Sequence, residues 1–446
     1  MSTTERPDAP WGARLRDLAE DAPGALPEPA LWDRGRRYAR LRRRGTAAVA
    51  ALGVLAVVAV GAVSWQRAAP PAELAPASAP AAMPDELFVP SPWLPGTEEA
   101  GPLGQLAAII PADRGGWTGE EMGLVGISAT TGEYRFLDLP DLHAAPGAVL
   151  SPDGRHVAYW ATGETNGSPG GNGGPVSAVA VYDAVSGQVA RHEVATEHGL
   201  RIQDLVWTDL ATLLVVYGQY AGGEDDGAVY TNAVRPEPWQ VLTLGEGLRT
   251  LRPPVRADRV AGAGGGAILL DRGGVAQVVV DLAGTVARTR FRLERWWQGE
   301  LRLSPDRSRL AGIPGDWTPG PIGVAEMRGS GSRARLAPIP GEMTAVEIVT
   351  WTDEEHLVVL SDRDPERGST ELVEVEVATG DARSLVTLDP DLTSAPQFAL
   401  DLLGGPIVEA VEPPDPVDPR AVVALSGGAV LATAAGIVVW RRRVQP

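Results

Sequence analysis

The chain has 446 residues and a formal net charge of −18, with 39 basic against 57 acidic side chains. All 39 basic residues are arginine, and there is no lysine or cysteine. Disulfides, thiolate zinc sites, thiol nucleophiles, Schiff-base chemistry and the phosphate-binding lysine of a P-loop are thereby excluded. The apolar share of 44% and charged share of 22% are ordinary for a folded protein.

Charge is unevenly distributed along the chain. Residues 1–44 carry ten arginines against seven acids, a balance of +3. They are too few for a stable domain, although Trp11–Glu20 and Leu31–Arg44 could each form a helix between prolines. The arginines at 34, 36, 37, 40, 42, 43 and 44 then lead into Gly45–Trp65, which has no charge at all. About 20 apolar residues suffice to cross roughly 30 Å of hydrocarbon as a helix. Basic flanks stay cytoplasmic and tryptophan favours the interface, so 45–65 is expected to span the membrane with its N-terminal side inside. A cleaved signal peptide is the rival reading, and a 44-residue leader is long for it. The arginine cluster fits a topology determinant in contact with anionic membrane lipid. A sharper reading makes it a helix that docks a cytoplasmic regulator; a short leader, a span and an external sensor resemble the layout of transmembrane anti-sigma factors.

Residues 66–102 are rich in Pro, Ala and acids and read as a semi-rigid spacer. From 103 to 411, short β-type runs alternate with turn residues, with little helical periodicity. A hairpin recurs at Gly123–Leu139, Ala178–Val194, Ala276–Leu293, Ile322–Ile339 and Glu371–Leu388, with turn glycines at 132, 187, 284, 331 and 380. The gaps are 55, 97, 47 and 49 residues, and the double gap accommodates a proline turn at Arg235–Pro238, making six units of about 49 residues. A second signature precedes the hairpins. Ser151-Pro152-Asp153 and Ser304-Pro305-Asp306 form one pair, and Trp207-Thr208-Asp209 and Trp351-Thr352-Asp353 form the other. Proline presets a turn position and aspartate caps the turn through its side chain.

A four-stranded unit of this length, repeated about six times, predicts an all-β, six-bladed β-propeller. The Ser-Pro-Asp-Gly turn, its apolar strand and the following Thr-Gly or Ser-Gly hairpin resemble the WD-like repeats of TolB-type propellers over 103–411, here in a membrane-anchored, actinobacterial-type form. The resemblance implies a toroid whose mouth binds peptides or proteins, or whose blades serve as a scaffold. Trp207 and Trp351 are expected to pack between blades. The first unit lacks an inner strand, which the run at Gln397–Leu403 could supply. The run at Pro406–Val411 is then left over; if it starts another blade with N-terminal strands, the ring has seven.

The Pro-rich stretch 412–420 is a second spacer, and Ala421–Trp440 is again free of charge. It reads as a buried small-residue element or, followed by Arg441, Arg442 and Arg443, as a second span with a cytoplasmic tail at 441–446. Its Gly428, Ala432 and Gly436 would allow close helix approach. Residues 68–420, with 25 arginines against 50 acids, would then lie outside the cell membrane.

Motifs for chemistry are few. No G-x-S-x-G elbow, HExxH or P-loop occurs. The five histidines show no ligand spacing. Glu224, Asp225 and Asp226, and Asp362, Asp364 and Glu366, are candidate calcium clusters that read equally as solvated acidic loops. No catalytic residue and no cofactor is indicated, and the −25 of the central region disfavours nucleic acid. The expectation is an extracytoplasmic propeller at the cell envelope that binds or senses a protein, peptide or other ligand. An envelope hydrolase or lyase using carboxylates, and a signalling relay through residues 1–44, are the alternatives.

Overall fold

The computed structural model describes residues 80–165, 174–220, 234–236, 239–251, 259–264, 266–272, 276–281, 288–293, 297–314, 319–327, 333–364, 369–416, 418–421 and 423–424. Two compact units divide the chain, Ala72–Asp418 and Met1–Pro71 with Pro419–Pro446, and the described residues fall almost wholly in the first. Residues 1–65, and nearly all of the apolar segment at 421–440, lie outside them. Among the described residues, no helix is long and apolar enough to cross a membrane.

Antiparallel four-stranded meanders follow one another along the chain. The first consists of Leu106–Gly115, Glu120–Ser128 and Tyr134–Phe136, and Gln397–Phe398 joins its open edge. Phe398 sits opposite Ala108 and Gln397 opposite Ile109, so C-terminal chain completes the first sheet, at the run the sequence offers for it. The second comprises Val149–Leu150, His156–Thr162, Val176–Asp183 and Val189–Glu193. The third contains Leu200–Trp207, Thr212–Tyr220, Gln240–Thr243 and Gly247–Thr250. The last runs from Glu347–Trp351 through His356–Asp364 and Ser369–Glu376 to Ala382–Leu388.

Between the third and the last, the architecture departs from six separate blades. Arg259–Gly264, Ala267–Arg272, Ala276–Asp281 and Arg288–Leu293 form one meander. Trp297–Leu303, Arg309–Pro314, Gly323–Glu326 and Ala337–Pro338 form the next. Their first strands pair in parallel, Gly262 with Leu301 and Ala263 with Arg302, and Arg333–Ala334 adds to the edge at Arg288–Leu293, making a single nine-stranded sheet. The described residues therefore hold five sheets of four or more strands. Glycine makes this joining sterically possible: a Cβ at Gly262 would lie 1.7 Å from the Leu301 carbonyl oxygen.

Two further expectations are corrected. The flanks of the proline turn at 235–238 do not pair with each other. Val234–Pro236 and Gln240–Thr243 both pair with Thr212–Tyr220, and the chain reverses at 244–246, between Thr243 and Gly247. Proline offers no ladder donor, so it splits this run without turning it. The stretch left over at Pro406–Val411 starts no seventh blade. Its Ile407–Val408 pairs in parallel with Met83–Pro84, inside the segment read as a spacer, and Glu86–Leu87 adds a fifth strand to the last sheet. Short apolar pairs between prolines carry little periodicity, so 80–87 shows no strand pattern in the sequence.

Both faces of the sheets are buried, and side chains alternate between them. In His156–Thr162, Val157, Tyr159 and Ala161 pack towards the first sheet, while Ala158 and Trp160 join Leu213, Val215 and Tyr217 of the third. Leu214 and Val216 turn the other way, onto Ile268 and Leu270 of the next meander. Val358 of the last sheet enters the same cluster as Ile109 and Tyr159, while Leu357 and Val359 pack onto Ala311 and Ile313. The last sheet thus packs on the first, and the ring closes. Each Leu, Val or Ile buried in this way contributes about 1.5–3 kcal/mol of transfer free energy.

Candidate functional site

The repeat motifs serve the fold. In Ser151-Pro152-Asp153, the buried Ser151 Oγ donates to Asp153 Oδ1 (2.6 Å) and accepts from His156 N (2.8 Å). Ser304 repeats this with Asp306 (2.7 Å) and Arg309 N (3.0 Å). Pro152 and Pro305 occupy the same step of the two turns, and the Pro152 carbonyl accepts from Asp401 N. The Ser304 and Ser308 hydrogen bonds hold the Asp306 carboxyl at about 2. Asp209 accepts from Ala211 N and Asp353 from Glu355 N and His356 N, so all four aspartates cap turns.

Trp207 and Trp351 each tie one meander to its predecessor. Trp207 Nε1 donates to Val149 O (3.2 Å) and Trp351 Nε1 to Arg302 O (3.0 Å). Arg302 Nε returns a bond to Val349 O, and Gln397 donates to Ala148 O while accepting from Leu150 N. The inner strands are stitched to one another by side chains.

Of the acidic candidates, Glu224, Asp225, Asp226 and Glu366 lie outside the described residues. Asp362 is in strand His356–Asp364 opposite Thr370, and Asp364 is opposite Ser369, with a bulge between them. Among the described residues, no group of three His, Asp or Glu is placed to hold a metal ion.

A crevice opens instead where the incoming and outgoing chains of the propeller meet. Its volume is about 320 Å³, and its walls are Phe88–Pro92, Asp389 and Glu412–Asp415. Parallel pairing of Met83–Pro84 with Ile407–Val408 and of Glu86–Leu87 with Thr387–Leu388 positions both walls. Ala410 N donates to Asp85 Oδ1 (2.8 Å), locking the outgoing chain to the incoming one. Beyond these bonds, Pro90, Pro92, Pro413 and Pro414 hold both segments extended. Ser91 Oγ donates to Asp415 Oδ1 (3.0 Å) across the crevice. Phe88 N donates to the Tyr134 hydroxyl (3.2 Å). Burial pushes that phenol up to about 12, the Phe88 bond opposes, and the charges of Glu86 and Asp389 add to the rise. Asp389, Glu412 and Asp415 place three carboxylates on walls otherwise made of proline, valine, serine and phenylalanine. In the sequence alone 88–92 and 412–415 have the composition of spacers, and the repeated prolines on each side of the repeat array are the signal that links them.

Strand order, ring closure and side-chain stitching define the class: an all-β propeller closed by C-terminal chain, with its two ends zipped together beside an acidic crevice. No family model and no curated protein matches the chain. Among solved structures, TolB from Acinetobacter baumannii is 14% identical, with a TM-score of 0.35, covering 66% of this chain and 66% of its own. A Bacteroides fragilis protein provisionally assigned as a 6-phosphogluconolactonase is 13% identical, with a TM-score of 0.34, covering 64% and 96%. Porphyromonas gingivalis dipeptidyl peptidase 4 is 11% identical, with a TM-score of 0.32, covering 59% and 42%. Likenesses at this level carry no functional argument; the propeller rests on its own strand order.

Proposed function

We propose that the chain is a non-enzymatic binding or sensing module. In this reading six four-stranded repeats, two of them fused edge to edge, are displayed outside the cell membrane between spans at 45–65 and 421–440. Both termini lie in the cytoplasm, and the partner is a protein or peptide of the envelope. The observation that carries the reading is the pairing of the propeller's own ends. Met83 lies opposite Ile407 and Pro84 opposite Val408, so the chain enters and leaves the propeller at one place, which suits a domain tethered at both ends. The uncharged segments with arginines on their outer flanks, and the −25 between them, support the same topology. The motif residues that repeat are all occupied by turns and inter-strand bonds, which leaves recognition to surfaces.

Alkaline phosphatase fusions test the topology: a fusion after Pro416 is expected to be active and one after Pro446 inactive. Activity after Pro446 would remove the second span. Crosslinking from native membranes tests the binding role, with a discrete adduct of the full-length chain expected.

A further inference from the structure

We infer that the crevice and the hairpin beside it form a docking surface for an extended, arginine- or lysine-bearing peptide segment of the partner. The inference rests on the binding role proposed above and names its site and chemistry. The surface is continuous. Gly115 N donates to Pro92 O at the crevice wall (2.8 Å), and the Trp93 ring lies so close to Gly115 that a Cβ there would sit 2.7 Å from it. Two residues on, at the tip of the hairpin formed by Leu106–Gly115 and Glu120–Ser128, Trp117 is 68% exposed, and Met122 is 51% exposed. Trp117 is the most exposed of the large apolar side chains among the described residues, and an exposed tryptophan beside a crevice suits a contact surface.

Charge selects the occupant. Asp389, Glu412 and Asp415 line the crevice, and Glu120 and Glu121 are exposed beside Trp117. Carboxylates stand with Phe88 in the crevice and with Trp117 at the hairpin tip, which favours arginine or lysine side chains spaced along the segment over anionic groups. A volume of about 320 Å³ is at the small end of ligand pockets and suits one or two residues of a chain lying along the surface. Proline-rich walls expose carbonyl oxygens and few donors, so they suit a ligand rich in donors.

The experiment uses the purified full-length chain in detergent and a fluorescent peptide of Arg-Pro repeats, with Ser-Pro and Glu-Pro repeats of equal length as controls. Anisotropy is expected to show binding of the Arg-Pro peptide alone. The triple variant Asp389→Asn, Glu412→Gln, Asp415→Asn should weaken it at least about tenfold. Trp117→Ala should weaken it about fivefold, with unchanged Tm because that side chain is exposed. A distant variant that removes the same charge, Glu197→Gln, Glu246→Gln, Glu354→Gln, should bind as the parent does. Equal weakening by both triple variants, equal binding of Ser-Pro peptide, or no binding of Arg-Pro peptide overturns the site. In each of these cases a membrane crosslinked adduct that survives the crevice variants keeps the binding role standing without this site, whereas absence of any adduct removes both.

Discussion

Two turns of this molecule share their first three residues and differ in the fourth. Ser151-Pro152-Asp153-Gly154 and Ser304-Pro305-Asp306-Arg307 make the same serine-to-aspartate bond, and in both the fourth residue is left-handed, with φ of 72° at Gly154 and 63° at Arg307. The fourth residue differs because the surroundings differ. A Cβ at Gly154 would lie 1.9 Å from the Leu106 carbonyl oxygen, and Gly154 O accepts from Leu106 N (2.8 Å), so this turn presses on the first sheet. The side chains of Ser and Asp shape the turn; what packs on it decides whether glycine is compulsory.

Gly154→Ala should be the most damaging change in either turn, at about 3 kcal/mol or more, since both conformation and backbone contact oppose a Cβ. Chemical denaturation reads this, and a cost below about 1 kcal/mol would show that the first sheet yields easily. Removing an inter-meander bond comes next. Trp207→Phe removes the indole donor to the Val149 carbonyl, which keeps its ladder pairing with Ala158, and should cost about 0.5–1.5 kcal/mol, read the same way. Arg307→Gly points in the opposite direction and should stabilise by about 0.5–1 kcal/mol, because only glycine adopts this conformation without penalty. A loss of stability there would mean that the arginine side chain contributes more than its backbone costs.

The smallest effect is in the pH profile. The Ser304 and Ser308 hydrogen bonds lower the Asp306 carboxyl from 3.8 to about 2. A depressed carboxyl contributes stability that is full above its unfolded value and is lost as pH falls from about 4 towards 2. Asp306→Asn should therefore flatten the dependence of Tm on pH in that window and leave its slope near neutrality unchanged. The Trp-Thr-Asp turn at Asp353 adds a contrast of opposite sign. The hydrogen bond to Asp353 raises the His356 imidazole above 6.5. Its contribution is full below 6.5 and is lost as pH rises through the raised value, so His356→Gln should remove a small alkaline-side decline in Tm.

Much of the propeller was legible in the sequence. Aspartates 153, 209, 306 and 353 cap turns wherever they stand, because an Asx bond reaches only two or three residues along the chain. Turn glycines 132, 187 and 380 all have positive φ, a local requirement that sequence spacing exposes. The strap at Gln397–Phe398 was readable as the inner strand missing from the first repeat. Other features were not readable. The parallel joining at Gly262 and Leu301 depends on how closely two strands about 40 residues apart approach, and a glycine in a strand has several meanings. The crevice walls Phe88–Pro92 and Glu412–Asp415 are more than 300 residues apart in the chain, as the Ser91–Asp415 bond at a separation of 324 records.

The sequence by itself determined the repeat, its turns, and the separation of charge into a basic leader, two neutral segments and an acidic centre. Each follows from interactions within a few residues, or from composition. Tertiary structure alone decided the number of independent sheets, the need for glycine at 154 and 262, and the meeting of the two proline segments at one acidic crevice. Those depend on contacts between distant parts of the chain, whose geometry is settled only when the ring closes.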